Sequence, residues 1–343
     1  MTSAVANLSH RQRVKAIVAG STGNLIEWYD FYTYAFMALY FAPLFFPQGD
    51  RTAQLLNVAG IYAVGFLIRP VGGWFFGRYA DRHGRKSAMV VSVLLMGAGS
   101  LLIAVAPTYA VGGVLAPFLL LLARLMQGFS TGGQYGAAAT YLSEVAADQK
   151  RGFYASFQFV TLIGGQLAAL LVLGALQFML SEEDIRQWGW RVPFALGALV
   201  AVGFLLFRDM MHETVTPQTR SEDAGSLRLL IKHPGALFIV VSLSAAGAIG
   251  LYTFTTYMQK FLVNTAGMDV KTVSGVMTAA MVIFMLLQPI FGSFSDRIGR
   301  RKCLIIFTGL MTVSAVPLLQ ALSTVRDPFA AFALVLTSLV IMT

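Results

Sequence analysis

The 343 residues are 57% apolar and only 12% charged, with a mean hydropathy of +0.69, whereas soluble domains carry about 25% charged residues. This balance argues against a water-soluble protein, the single cysteine, Cys303, excludes an internal disulfide scaffold, and 26 Phe, 12 Tyr and 4 Trp exclude disorder. A net charge of +9 would admit nucleic acid as a partner, but the positions of the charges tie them to a membrane boundary instead.

Apolar runs long enough to cross about 30 Å of hydrocarbon at about 1.5 Å per residue predict ten helices. They lie at 16–46, 53–78, 87–106, 113–142, 152–180, 190–207, 236–262, 272–294, 303–322 and 328–343. Helices are required because backbone facing lipid must satisfy its own hydrogen bonds. The stretch before the first run has no apolar core followed by a small-residue cleavage site, so no cleavable signal peptide is expected. Of the 25 Lys and Arg, seventeen fall at the amino terminus or in alternate connections: 11, 13 and 15; 78, 82, 85 and 86; 150 and 151; 208, 220, 228 and 232; 297, 300, 301 and 302. Six fall in or near the opposite connections, and two, Arg69 and Arg124, lie inside predicted spans. By the positive-inside rule the amino terminus is cytoplasmic, and no nucleic-acid partner is expected.

The longest polar connection, HETVTPQTRSEDAGS and its flanks, follows the sixth run. It divides the chain into a six-helix half (1–208), a cytoplasmic linker (209–235) and a shorter half (236–343) holding helices 7 to 10. FGRYADRHGRK at 76–86 and FGSFSDRIGRRK at 291–302 repeat one another, with Asp81 and Asp296 separated by 215 residues. Two complete halves of that length would need about 430 residues and twelve spans. The expected fold is therefore an all-α integral membrane protein of two six-helix halves, here a fragment of about ten transmembrane helices lacking the last two.

The repeated G-x-x-x-D-R-x-G-R-[KR] loop resembles the signature cytoplasmic loop of the major facilitator superfamily, and ARLMQG at 123–128 resembles its fourth-span element. GNLIEWYDF (23–31), GFLIRPVGGWFFG (65–77) and WGWRVPF (188–194) together resemble the metabolite:proton symporter family. Within it, GFYASFQFVTLIGGQLAALLV (152–172) and YTFTTYMQKFLVNTAGM (252–268) resemble the branch that carries 2-oxoglutarate. The resemblance implies proton-coupled import of a dicarboxylate, 2-oxoglutarate first, by alternating access across a bacterial cytoplasmic (inner) membrane. Sibling families carry citrate, shikimate or proline betaine, and a ten-helix product that transports nothing is a further reading. Relatives usually read GGEYG in the fourth span where this chain has GGQYG, with Gln134.

Of the 16 acidic residues only Glu27 and Asp30 lie deep in a span, about 16 and 21 Å in if the helix enters near residue 16. Their i, i+3 spacing puts them on one face. Two readings stand: one or both carry the coupled proton, together with Arg124, or they form a structural ion pair. A dicarboxylate asks for two cationic contacts, and arginine forks match carboxylates. Arg124 is the first candidate and Arg69 the second, although Pro70, Gly72 and Gly73 beside Arg69 equally predict a kink. Tyr252 and Thr256 in the seventh span, and Gln158 and Gln166 in the fifth, are candidate neutral contacts, with belt residues and interhelical glue as the plainer roles. In the superfamily's arrangement the seventh-span polar face would look toward Arg124.

The signature loops are read as gates: Gly77, Asp81, Arg82, Gly84 and Arg85 in the first copy, Asp296, Arg297 and Arg300 in the second. Gly77 and Gly84 are expected to allow tight backbone passage, and Asp81 and Asp296 to meet helix ends or nearby arginines. The resemblance places the second loop against the fifth helix. No catalytic constellation sits inside the spans, so no enzyme activity is expected. The four histidines lack metal-ligand spacing, so no metal or cofactor is expected beyond the coupled proton. The expected partners are a small organic anion, a proton and membrane lipid, around a monomer.

Overall fold

The structure, a computed structural model, describes residues 9–47, 51–146, 150–211, 213 and 231–343. These form helices α1 (His10–Phe45), α2 (Arg51–Leu67), α3 (Arg69–His83), α4 (Arg85–Val105), α5 (Leu115–Val145), α6 (Arg151–Met179) and α7 (Arg191–Gly203). There follow α8 (Pro234–Tyr252), α9 (Met258–Asn264), α10 (Val270–Ile298), α11 (Arg300–Thr324) and α12 (Pro328–Met342). Among the described residues seven helices are long and apolar enough to cross a membrane. An eighth is added if the pair Glu182–Gly189 and Arg191–Leu206, bent by 50°, counts as one span.

Helix starts follow capping chemistry. Ser9 and Gln12 form a capping box at α1, Asp269 accepts from Thr272 N at 3.0 Å ahead of α10, and Asp327 accepts from Ala330 N at 2.7 Å ahead of α12. Each side-chain oxygen takes a donor that the first helical turn leaves unpaired. Helices α2 and α3 form one apolar run broken at Ile68, next to Pro70, which cannot continue the backbone ladder. A five-residue π-helical turn, Thr253–Tyr257, joins α8 to α9.

Two compact units emerge. The described residues of the first lie within 1–147 and 164–225, those of the second within 148–163 and 226–343, so α6 contributes to both. The predicted linker 209–235 falls largely on 214–230, outside the described residues.

In the first unit α5 is the hub, packing on α1, α2, α3 and α4, while α7 packs on α4 and α1. Toward one end of α1, Phe41, Phe45, Trp190 and Phe194 build an aromatic cluster. Toward the other, Ala16, Met89, Tyr141 and Phe204 build a mixed aliphatic and aromatic one. Arg191 closes the C-terminal end of α4, donating to Ala104 O and Ala106 O at 2.7 Å each while stacking on Trp190. In the second unit α12 packs between α10 and α11. Phe238, Ile239, Val240 and Val241 of α8 are exposed, four successive apolar side chains spread around the helix.

Candidate functional site

The interior of the first unit holds two carboxyls and two guanidiniums. Glu27 and Asp30 of α1 are buried, at 1% and 0% exposure, and so is Arg124 of α5, at 1%. Arg69, at the first position of α3, is half-buried. Glu27 Oε1 accepts from Ser130 Oγ at 2.8 Å and from Ser92 Oγ at 3.1 Å. The two hydroxyls are 3.0 Å apart, and each also lies within bonding distance of the other residue's carbonyl oxygen. This clasp ties α1 to α4 and α5 at one carboxylate oxygen. The charge of Arg69 acts on Glu27 and that of Arg124 on Asp30.

No carboxylate lies within 4.0 Å of Arg69 or Arg124 among the described residues, whose ion pairs sit at other positions. The reading of a direct structural ion pair between these groups is therefore corrected. Both guanidiniums face aromatic rings instead, where the ring quadrupole attracts a cation. Arg69 Cζ is 4.2 Å from the Phe66 centroid and 4.5 Å from that of Phe31. Arg124 Cζ is 4.3 Å from Tyr34, 4.8 Å from Tyr62 and 5.4 Å from the same Phe31. Distances of 4.5 and 5.4 Å to one ring put the two guanidinium carbons at most 9.9 Å apart. Arg124 Nη1 donates to Gln127 Oε1 at 2.7 Å, and Gln127 Nε2 donates to Ser100 Oγ at 2.8 Å. Arg124 Nε, Arg69 Nε and Arg69 Nη2 are buried without a hydrogen-bond partner, which leaves donors for an anion.

Backbone proximity makes this possible. A Cβ on Gly132 would run into Arg69 O, so the glycine lets α5 lie against the start of α3 and fixes where Arg69 emerges.

The first signature loop turns at Gly84, φ +103°, and the second at Gly299, φ +93°, a region that favours glycine. Asp81 pairs with Arg85 at 2.6 Å, and Arg85 reaches Glu144 at 3.7 Å. Glu213 accepts from Arg85 N at 2.8 Å and Lys86 N at 3.3 Å, capping α4. In the second unit Asp296 accepts from Gly152 N at 2.7 Å and Phe153 N at 2.9 Å, capping α6, and pairs with Arg300 at 2.9 Å. Arg82 and Arg297 are exposed. Gly77 has open space where a Cβ would stand, so the tight passage expected there is corrected, whereas a Cβ on Gly84 would meet the Glu213 carboxylate.

Gln158 is buried in the part of α6 that belongs to the second unit, and Gln166 is half-buried in the part that belongs to the first. Tyr252 is half-buried at the end of α8. Within the π turn Thr256 is exposed while Thr255 is buried and donates to Leu251 O. Sequence reasoning passed over Ser92, Ser130, Gln127 and the aromatic partners. Phe31 and Tyr34 stand four and seven residues after Glu27, the helical spacing that would have flagged them. Gln127 follows Arg124 by three. Ser92 carries no local signal.

The model of the Major Facilitator Superfamily matches residues 25–343. The chain belongs to the major facilitator superfamily. It is 55% identical over 332 residues to the alpha-ketoglutarate permease of Escherichia coli strain K12, covering 96% of this chain and 77% of that one. It is 34% identical over 325 residues to a putative proline/betaine transporter of Staphylococcus haemolyticus, covering 92% and 69%. A double-tryptophan mutant of XylE matches in fold with a TM-score of 0.78 at 18% identity, over 96% of this chain and 79% of that one. This superfamily member is thus a multi-pass membrane transporter with an all-helical fold.

Proposed function

We propose that this transporter imports a dicarboxylate, 2-oxoglutarate, together with protons, by alternating access. One observation carries the reading: two guanidiniums beside a single phenyl ring, with unpartnered N–H donors, enclosed with two buried carboxyls. Arg124 and Arg69 take the two substrate carboxylates through charge-assisted, fork-like hydrogen bonds. Glu27 and Asp30 bind and release the coupled proton, and Arg124 exchanges between substrate and a carboxyl as they do so. Gln166 supplies a neutral polar contact in the same unit, while Gln158, Tyr252 and Thr256 are assigned as contacts from the sequence. The name of the 55%-identical relative supports the choice of substrate. A betaine carries its own cation, which a pair of arginines disfavours.

The sorting of basic residues supports an amino terminus in the cytoplasm of a bacterium with the protein in its inner membrane. The 215-residue repeat supports two six-helix halves with ten helices within this chain. The two signature loops then act as gates whose charged contacts differ between inward- and outward-open states.

The test is uptake of labelled 2-oxoglutarate into liposomes carrying the protein, driven by an inward-directed proton gradient. Accumulation should collapse with a protonophore and be competed by dicarboxylates but not by proline betaine. Accumulation of proline betaine in place of 2-oxoglutarate would overturn the substrate, and gradient-independent accumulation would overturn the coupling.

A further inference from the structure

Below the Glu27 clasp, α1 and α5 run antiparallel. Glu27 meets Ser130 and Gly23 meets Gln134, one turn further along both helices, while Gly20 meets Tyr141, a further turn along α1 and about two along α5. Ser21, Asn24 and Glu27 follow at intervals of three along α1, and all are buried: Ser21 at 5%, Asn24 at 0% and Glu27 at 1% exposure. Gln134 is fully buried as well. Its amide lies where a Cβ on Gly23 would stand, 2.5 Å from Nε2, with Val93 and Phe204 as apolar walls.

This file of polar groups is under-satisfied. Glu27 Oε2, both amide atoms of Gln134 and Ser21 Oγ are buried without a hydrogen-bond partner. Leaving such groups unpaired is costly, and buried waters serve groups of this kind, with two to four polar partners each. An amide that donates and accepts at once is suited to orient waters on either side. Ser92, Ser130, Arg69 and Asp30 are the polar and charged groups that act on Glu27. Arg13, buried near the far end, donates to Val145 O at 2.7 Å.

We propose that waters occupy this column from Glu27 to Ser21 and that Gln134 orients them, so that protons pass between Glu27 and the level of Ser21 inside the first unit, above the packed cluster of Ala16, Met89 and Tyr141. The proposal rests on the reading of Glu27 as a proton carrier. Gln134 is a positioning residue, acting through the water it holds.

Two measurements on the full chain in liposomes test it. Radiolytic hydroxyl labelling with mass spectrometry modifies buried side chains that border bound water. Phe204, which walls the column, should be modified several-fold faster than Phe41, which is equally buried in the aromatic cluster, and Gln134→Leu should abolish that difference. Equal rates at Phe204 and Phe41 in the unsubstituted protein would overturn the water column. In transport, Gln134→Leu should lower gradient-driven accumulation of 2-oxoglutarate about tenfold, a modest share of what positioned proton transfer contributes. Exchange of labelled for unlabelled 2-oxoglutarate should persist, which also shows the variant folded. Labelling as expected with undiminished accumulation would overturn the proton route, and loss of exchange together with accumulation would assign Gln134 to substrate handling instead. Glu27→Gln separates the two levels: normal coupling in that variant overturns the carrier reading itself, whereas lost coupling there with normal coupling in Gln134→Leu overturns only the column.

Discussion

A guanidinium held over aromatic rings keeps its N–H groups free, whereas one held by a carboxylate has already spent them. Arg124 illustrates the difference, stacked on Tyr34 and Tyr62 with Nε unpartnered. Lysine offers neither a planar face nor a two-pronged donor set. Arg124→Lys should therefore weaken apparent affinity for 2-oxoglutarate by about tenfold or more, read from the substrate dependence of uptake. Unaltered affinity would remove Arg124 from the binding role. The serine clasp makes a second prediction of a different kind. Replacing both Ser92 and Ser130 by Ala strips Glu27 Oε1 of its two donors, at about 1–3 kcal/mol for a buried group left unpaired. The pH profile of uptake should be displaced while apparent affinity stays the same, because neither hydroxyl meets a guanidinium.

At the scale of elements, helix ends carry the chemistry. Asp296 is nearly buried and caps α6 through two backbone N–H groups. Asp296→Ala should cost about 1–2 kcal/mol, seen as a lower melting temperature in detergent. Asp269, outside the spans, is held below the usual carboxylate range, first by the Thr272 backbone N–H. Its stabilising contribution is therefore full above the ordinary carboxylate range and disappears as pH falls through the depressed value. Asp269→Ala should lower the melting temperature near neutral pH and lose that effect in strong acid. Existence of the helices was legible because apolar runs of membrane length have one solution. Their ends were less so: α1 starts at His10 and α10 continues to Ile298, each beyond its apolar run. Caps and backbone ladders persist into water after hydropathy stops. The break at Ile68 was signalled by Pro70, whereas the π turn at 253–257, which buries Thr255 and exposes Thr256, has no compositional mark.

For the molecule as a whole, the ionisable groups of the candidate site could be named from sequence because charge in an apolar span stands out. Their partners could not. Ser92 and Ser130 lie 65 and 103 residues from Glu27, and only the docking of α1 against both α4 and α5 brings them to one oxygen. Nor did the sequence disclose that the arginines would settle on rings, since Tyr62 and Phe66 belong to a different helix from Phe31.

Two acids and two bases enclosed in one unit have an electrical side. With both carboxyls ionised their charges cancel, so each proton taken up leaves the quartet one unit positive, and each dianion received reverses the balance. Charge displaced across the whole membrane field exchanges about 2.3 kcal/mol per elementary charge per 100 mV. The carrier cycle should accordingly feel voltage as well as acidity. A potassium diffusion potential imposed with valinomycin at equal pH on both sides should change the initial rate of 2-oxoglutarate uptake whenever the protons moved per cycle do not match the substrate's charge. The potential at which net flux vanishes against a set substrate gradient would then give the net charge moved per cycle, and from it the number of protons.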